Sequence, residues 1–179
     1  VPASSARIEM TGLGPFAYPE WYTRSSIGGR IAGSMKAAGF DACVVLGKAE
    51  RRVWVSVVND EVTFHDAEGL WGKGTWETQE LIWSEVTHQT PDGGWFEFTR
   101  SRDGGRSTDR PSVLAIGPAG ENLVRTATIT HDAGHVAGQS GFGAVWGAKN
   151  LKAISFLGSK SFEVADPATL IDLRIELQR

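Results

Sequence analysis

The chain holds 179 residues, 41% hydrophobic and 22% charged, with a formal net charge of −3. That is enough for one domain with its own core, or one domain plus part of another; the composition excludes a chain disordered by default and argues against a broad nucleic-acid-binding surface. Cys43 is the single cysteine, which excludes an internal disulfide and a cysteine-held cluster or structural zinc within these residues. No apolar run approaches the roughly 20 residues of a membrane-spanning helix. No signal peptide is visible; the chain starts at Val1 without a methionine, as a fragment or a processed chain would.

Residues 7–10 read as a short strand, followed to residue 27 by a loop of turn formers and aromatics: Gly12, Gly14, Pro15, Phe16, Pro19, Trp21 and Tyr22. Arg7 and Arg24 are candidate anion ligands, and each also reads as a solvated surface charge. Gly28-Gly29-Arg30-Ile31-Ala32-Gly33 leads into a short helix at 34–38, which Gly39 stops by taking a left-handed cap. A buried strand is expected at 41–46, with Cys43 a buried thiol in it. Val53, Val55 and Val57 alternate with Arg52, Trp54 and Ser56, which predicts a half-buried strand at 52–58. Asn59-Asp60 turns it into a returning strand at 61–65.

Trp71-Gly72-Lys73-Gly74 reads as a loop. Thr75 reads as a helix N-cap, and Leu81, Ile82 and Val86 keep helical spacing to about Thr87. Residues 88–111 read as an exposed insertion with one short strand around 95–98. Its Arg100, Arg102, Arg106 and Arg110 alternate with Asp103 and Asp109, the pattern of a solvated loop. A buried strand is expected at 113–116, a turn at 117–122 and a further strand at 123–130. Asp166-Pro167 starts a helix, with Asp166 the N-cap and Pro167 at the first helical position. Leu170, Ile171, Leu173, Ile175 and Leu177 give that helix a broad apolar face.

The chain is organised around Gly138-Gln139-Ser140-Gly141-Phe142-Gly143-Ala144-Val145-Trp146-Gly147, with four glycines in ten residues, followed by a short helical stretch and an apolar strand at 153–157. Free N–H groups at such a loop-to-helix junction attract anions, phosphate above all. The same glycines can instead serve only to let a helix pack close to a sheet. At a shift of 111 residues, Ala42-Cys43-Val44-Val45-Leu46-Gly47 lines up with Ala153-Ile154-Ser155-Phe156-Leu157-Gly158, and Gly28–Gly33 falls near the place of Gly141–Ala144. Glycine loop, short helix, apolar strand and glycine thus recur, which suggests a pseudo-twofold duplication. Two such loops meeting at an axis would grip one multiply phosphorylated ligand from two sides.

Other chemistry is sparse. His131 and His135 have the spacing of a metal pair on a helix, but Gly134 intervenes and no acidic third ligand has a clear place. Glu121 reads as a turn-stabilising carboxylate or a catalytic one. His65 and His88 carry no context, and Trp71 and Trp76 read as packing or interface residues. A dinucleotide-binding reading fails on register: Gly147 stands one residue later than G-x-G-x-x-G requires, and no acidic residue closes the next strand.

Four blocks together resemble the first domain of the aldehyde ferredoxin oxidoreductase family, the tungsten or molybdenum bis-pterin enzymes. They are Lys36-Ala37-Ala38-Gly39-Phe40-Asp41-Ala42 with Gly47-Lys48-Ala49-Glu50; the run from Asp66 to Thr78 containing Trp71-Gly72-Lys73-Gly74-Thr75-Trp76-Glu77; Ile116-Gly117-Pro118-Ala119-Gly120-Glu121-Asn122-Leu123-Val124-Arg125; and Gly141 through Ile154. They stand in family order and span nearly the whole chain.

The resemblance implies an α+β domain of mostly antiparallel β-sheets with a few short helices and an internal pseudo-twofold duplication. It implies that residues 1–164 cradle a tungsten (or molybdenum) bis-pterin, and that residues 165–179 are the first helix of a following domain. By motif position the cofactor-binding residues are Arg7, Ser26, Gly28, Gln139 and Ser140. The backbone of Ser26 and Ser140 would meet a magnesium that bridges the pterin phosphates. A [4Fe-4S] cluster and the acid/base residues would lie in later domains, so no catalytic residue is expected in this chain.

Ferredoxin or another electron carrier, the remaining domains and a homo-oligomer are the implied partners; the implied location is cytoplasmic. Gln139 stands where the family commonly has arginine, Ser26 where it commonly has asparagine, and the 88–111 insertion is longer than usual. The implied function is oxidation of aldehydes to carboxylic acids. A tungsten reductase of aromatic acyl-CoA on the same scaffold is one alternative. A stand-alone pterin- or nucleotide-binding module is another, against which the apolar face of the last helix argues.

Overall fold

The computed structural model describes residues 7–87, 110–132, 134–161 and 163–177. It is α+β. Strands β1 (Ile8–Gly14) and β2 (Trp21–Ile27) form an antiparallel hairpin, with Ile8 opposite Ile27 and Gly14 opposite Trp21. The sequence reading missed β2. Pro15 and Pro19 mark the turn, and the peptide between Tyr18 and Pro19 is cis. The aromatics beyond it are the first residues of the returning strand.

Helix α1 (Ile31–Ala37) follows, starting three residues earlier than expected, and Gly39 takes the expected left-handed conformation at φ +98°. Strands β3 (Val53–Val58) and β4 (Glu61–Asp66) form the expected hairpin, turned at Asn59 with φ +52°. Helix α2 (Thr75–Thr87) takes Thr75 as its first residue rather than as its cap. After it come β5 (Ser112–Ala115), the one-turn helix α3 (Pro118–Glu121), the hairpin β6 (Ile129–His131) with β7 (His135–Ala137), helix α4 (Phe142–Ala148), β8 (Leu151–Leu157) and α5 (Pro167–Leu177).

One six-stranded sheet runs in the order β4-β3-β8-β5-β6-β7; only β3 and β8 are parallel neighbours. Its two faces carry separate cores. On one, Val53, Val55, Val57, Ile154 and Phe156 pack with Ile27, Ile31, Phe142 and Trp146 from the first hairpin, α1 and α4. On the other, Trp54, Val113, Ala115 and Ala153 pack with Ile82 and Trp83 of α2. Burying each of the larger side chains contributes about 1.5–3 kcal/mol.

This layering corrects the half-buried reading of β3. Alternation assigned its faces properly, but both faces are covered, so Trp54 and Ser56 are 1% and 4% exposed. In the β3–β8 ladder Val53 opposes Leu151 and Trp54 opposes Ala153, leaving Lys152 as the extra residue of a bulge.

Two expected strands fail. Residues 41–46 form no strand and are largely exposed, with Val44 77% and Leu46 85% accessible. Cys43 is exposed rather than buried, although partial desolvation still pushes its thiol pKa up. The strand expected at 123–130 shrinks to Ile129–His131, because Leu123 takes φ +57° and continues the turn begun in α3.

The matched strand half of the internal repeat is therefore not formed in its first copy. Hairpin, glycine bend and seven-residue helix do occur twice in order, and the duplication itself is not shown. The insertion reading, with the strand at 95–98 and Arg100, Arg102 and Arg106, lies outside the described residues, as does His88. Arg110 is described, its guanidinium 4.9 Å over the Trp83 ring.

Candidate functional site

The glycines of α4 serve close packing. A Cβ on Gly147 would lie 2.0 Å from the carbonyl oxygen of Gly120, so α4 rests directly on the α3 backbone. The N–H of Gly143 donates to the Ala127 carbonyl at 3.0 Å, and residues 141–144 are buried. The junction into α4 is thus not an open anion site, and the packing reading holds for this stretch. What faces outward is the bend just before it.

That bend lies along β2. Gly28 sits beside His135, Ser25 beside Gln139, and Arg24 beside Ser140, so β2 and the β7–bend segment run past each other in opposite directions. Ser25 is 2% exposed, and its hydroxyl accepts the Gln139 N–H at 3.1 Å. The Ser140 hydroxyl donates to the Arg24 carbonyl at 3.0 Å, which leaves it to accept from the Thr23 hydroxyl at 2.9 Å. Ser140 is itself buried and held at φ +72°, in the left-handed region. Its side chain is spent on this seam, which leaves only its backbone for a ligand.

The five residues expected at a cofactor site fall on this seam or beside it. Arg7 donates to the Ser26 hydroxyl at 3.5 Å, and among the described residues no carboxylate pairs with it. Ser26 and Gln139 are exposed and flank buried Ser25 and Ser140. Glu9 stands opposite Ser26 in the ladder, but its carboxylate faces Arg24 at 3.4 Å. Arg24 is therefore a surface charge paired along the hairpin. The donor set suits a phosphate: a guanidinium without an acid partner, a hydroxyl, an exposed amide and a bend with little side-chain bulk.

Behind the bend stands the β6–β7 hairpin. His131 and His135 face each other across its ladder with ring centroids 6.1 Å apart, which replaces the helical metal pair by a cross-strand pair. A Cβ on Gly29, at φ +86°, would lie 2.7 Å from both rings, so only glycine fits there. His131 is fully buried, and its Nδ1 carries the proton donated to the Val113 carbonyl at 3.0 Å. Its Nε2 lies 3.1 Å from Asp132.

Asp132 receives both Nε and Nη2 of Arg30 at 2.9 Å each, and Arg30 Nη1 reaches the Arg110 carbonyl at 2.7 Å. Burial opposes ionisation of Asp132, but the adjacent His131 ring and the two hydrogen bonds from Arg30 outweigh it and hold the carboxyl well below the usual range. Among the described residues no group of three or more His, Cys, Asp or Glu could hold a metal ion.

Three other features fall outside the seam. Glu121 is structural: it pairs with the Nζ of Lys152, and its other oxygen accepts the Gly72 N–H at 2.8 Å. Burial lowers the Lys152 pKa, and Glu121 works against that shift. Ser56, His65 and Glu85 form a chain of contacts at 2.8 and 3.5 Å that the sequence order hid. Ser56, however, sits in two ladders and is 4% exposed, so its hydroxyl has no open side for a substrate. An apolar cavity of 390 Å³ lies between residues 40–49 and the β4-β3-β8 face, and none of the five expected cofactor residues lines it.

Sequence reasoning missed Thr23, Ser25 and the Arg30–Asp132 pair. The β-branched and aromatic run starting at Trp21 could have disclosed the strand that carries the first two. Nothing local links Arg30 to a residue 102 positions away.

A family model described as aldehyde ferredoxin oxidoreductase, N-terminal domain, matches residues 2–158. The chain is 38% identical over 144 residues to the tungsten-containing aldehyde ferredoxin oxidoreductase of Pyrococcus furiosus, which covers 80% of the chain and 20% of that protein. The corresponding protein of Thermococcus kodakarensis matches with the same identity and coverage. An aliphatic sulfonate oxidoreductase WOR-like subunit of Pyrococcus furiosus is 36% identical over 126 residues, covering 70% of the chain and 19% of the subunit.

Among solved structures, the active-site complex BamBC of benzoyl coenzyme A reductase, solved with 1,5-dienoyl-CoA, superposes with a TM-score of 0.81 at 33% identity. That match covers 98% of this chain and 24% of the other. The chain thus spans about a fifth of the length of the curated relatives it matches.

Proposed function

The chain belongs to the aldehyde ferredoxin oxidoreductase family, as its N-terminal domain, and from that premise we propose that it cradles a tungsten (or molybdenum) bis-pterin in an enzyme that oxidises aldehydes to carboxylic acids and passes the electrons to ferredoxin. The observation that carries this reading is the seam: Arg7, Ser26 and Gln139 come together in space from the two ends of the domain. The Arg7 guanidinium and the Gln139 amide would hold the pterin phosphates. Gly28 would let the backbone approach them, and the backbone of Ser26 and Ser140 would meet the bridging magnesium. When bound, the cofactor supplies the two-electron redox chemistry of its metal.

The part this chain plays is to bind and orient. Thr23, Ser25 and Ser140 fix the distance between the two bends through neutral hydrogen bonds, so the phosphate-facing groups are set before a ligand arrives. Residues 1–164 make up this cradle in the proposal, and α5, which has no buried residue, begins a following domain. The [4Fe-4S] cluster and the proton-transferring residues belong to that further length, in keeping with relatives of which the match covers about a fifth. No helix among the described residues is long and apolar enough to cross a membrane.

The test is Arg7→Gln in the complete protein that contains this chain, with tungsten and pterin counted per chain in the native-sized fraction. Losing a charge-assisted contact of about 1.5–3 kcal/mol should speed cofactor loss by roughly 10- to 100-fold. Wild-type retention would overturn the assignment. A second reading, reduction of an aromatic acyl-CoA, is favoured by the near-complete superposition on the benzoyl coenzyme A reductase complex. Reduced-carrier oxidation driven by benzoyl-CoA, with no turnover of aldehydes, would establish it over the first.

A further inference from the structure

We infer that Arg30 and Asp132 position the cofactor-facing bend, and that Arg30, although it is the basic residue next to the glycines, takes no phosphate itself; this rests on the cofactor reading above. The bend at 28–30 is gripped from two sides. On the β2 side stands the hydroxyl seam of Thr23, Ser25 and Ser140. On the α1 side, Arg30 closes a two-pronged contact on both oxygens of Asp132, at 2.9 Å each, and ties the Arg110 carbonyl at 2.7 Å.

Three of the five guanidinium hydrogens are therefore committed, and they are the ones whose directions fix the plane of the group. Asp132 is in turn held. Its side chain is 17% exposed, its backbone is in the left-handed region at φ +46°, and His131 Nε2 lies 3.1 Å from Oδ2. Gly29 lies close against both histidine rings, where even a Cβ would come within 2.7 Å of each, so little room separates the bend from β6–β7. A ligand-binding arginine would keep its fork open to the ligand, as Arg7 does; Arg30 turns its fork inward.

The two roles predict opposite signs for one substitution. If Arg30 were a phosphate ligand restrained by Asp132, Asp132→Asn would free it, remove a negative charge and tighten the cofactor. If the pair positions the bend, the same change loosens it. The experiment uses the complete loaded protein and compares wild type, Asp132→Asn, Arg30→Lys and Arg7→Gln. Tungsten per chain is followed during dialysis of the native-sized fraction, and amide hydrogen exchange is read at residues 27–31 and, as a control, in β8.

Asp132→Asn should lose tungsten at least fivefold faster and exchange faster at 27–31, with β8 unchanged. Arg30→Lys keeps the charge but not the fork, and should do the same; it also serves if Asp132→Asn does not fold. Wild-type or slower tungsten loss in either variant, with fast loss in Arg7→Gln, overturns the positioning role alone. Wild-type retention in Arg7→Gln as well overturns the cofactor reading and this inference with it.

Discussion

Residues 42–47 and 153–158 carry almost the same apolar outline, and each follows a hairpin, a glycine bend and a seven-residue helix. One is the middle of the sheet; the other is exposed coil. The later segment has β3 on one side and β5 on the other, so its backbone groups are paired along both edges. The earlier one lies across a cavity from the face of β4, β3 and β8 and joins no ladder. Its ties are local ones: Lys36 pairs with Asp41 at its start, Val45 packs partly on the main core, and at its end Lys149 Nζ donates to the Gly47 carbonyl at 2.6 Å and Asn150 Nδ2 to the Ala49 carbonyl at 2.8 Å. Apolar pattern makes a strand possible, and whether the segment lies along a ladder edge or across a sheet face decides if one forms.

Side-chain truncation should separate the two segments most strongly. Phe156 is 2% exposed and lies in the main core, so Phe156→Ala should cost about 3–5 kcal/mol. Leu46→Ala, on the exposed copy, should stay within about 0.5 kcal/mol. Urea midpoints read both, and comparable losses would mean that 42–46 packs as a strand after all.

The paired glycines come next. A Cβ on Gly158 would lie 2.0 Å from the backbone of Ala37 and Ala38, so Gly158→Ala should cost about 3 kcal/mol. Its counterpart Gly47 has open space but φ +68°, so Gly47→Ala should cost only about 1 kcal/mol of left-handed strain. Equal costs would remove the distinction.

The smallest effect concerns the ion pair that joins the first bend to the second hairpin. The carboxyl of Asp132 is held below its ordinary range by Arg30 and His131 against burial. Its contribution is therefore complete above the unfolded value of about 3.9 and fades as pH falls from there through the folded one. Asp132→Asn should flatten the fall in urea midpoint between pH 4 and the acid limit. An unchanged slope would mean the pair does not couple the two units.

Much of this architecture was legible. Asp166 does cap α5, accepting the Thr169 N–H at 3.0 Å; Asn59 does turn the β3–β4 hairpin; and the apolar stretch after Asn150 does form β8. These are short-range devices, in which the residues that act lie within a turn of one another. What failed needed distant partners. The segment forecast as a strand at 41–46 lies over the sheet face rather than along an edge, and β3 is covered on its second face by α2, which periodicity within β3 cannot report.

The site divided in the same way. Arg7, Ser26, Gly28, Gln139 and Ser140 came from motif position, and they lie along or beside one seam. The hydroxyls of Thr23 and Ser25 and the Arg30–Asp132 pair, which hold that seam and bend in shape, had no local signature.

The seam is closed by hydroxyls and main-chain groups, while the charge that the proposal gives to the ligand, on Arg7, stands in solvent. Mobile ions weaken the second kind of contact and hardly touch the first. Raising the salt should therefore strip the occupant from an undistorted receptor, and lowering it again should let the same receptor refill without any refolding.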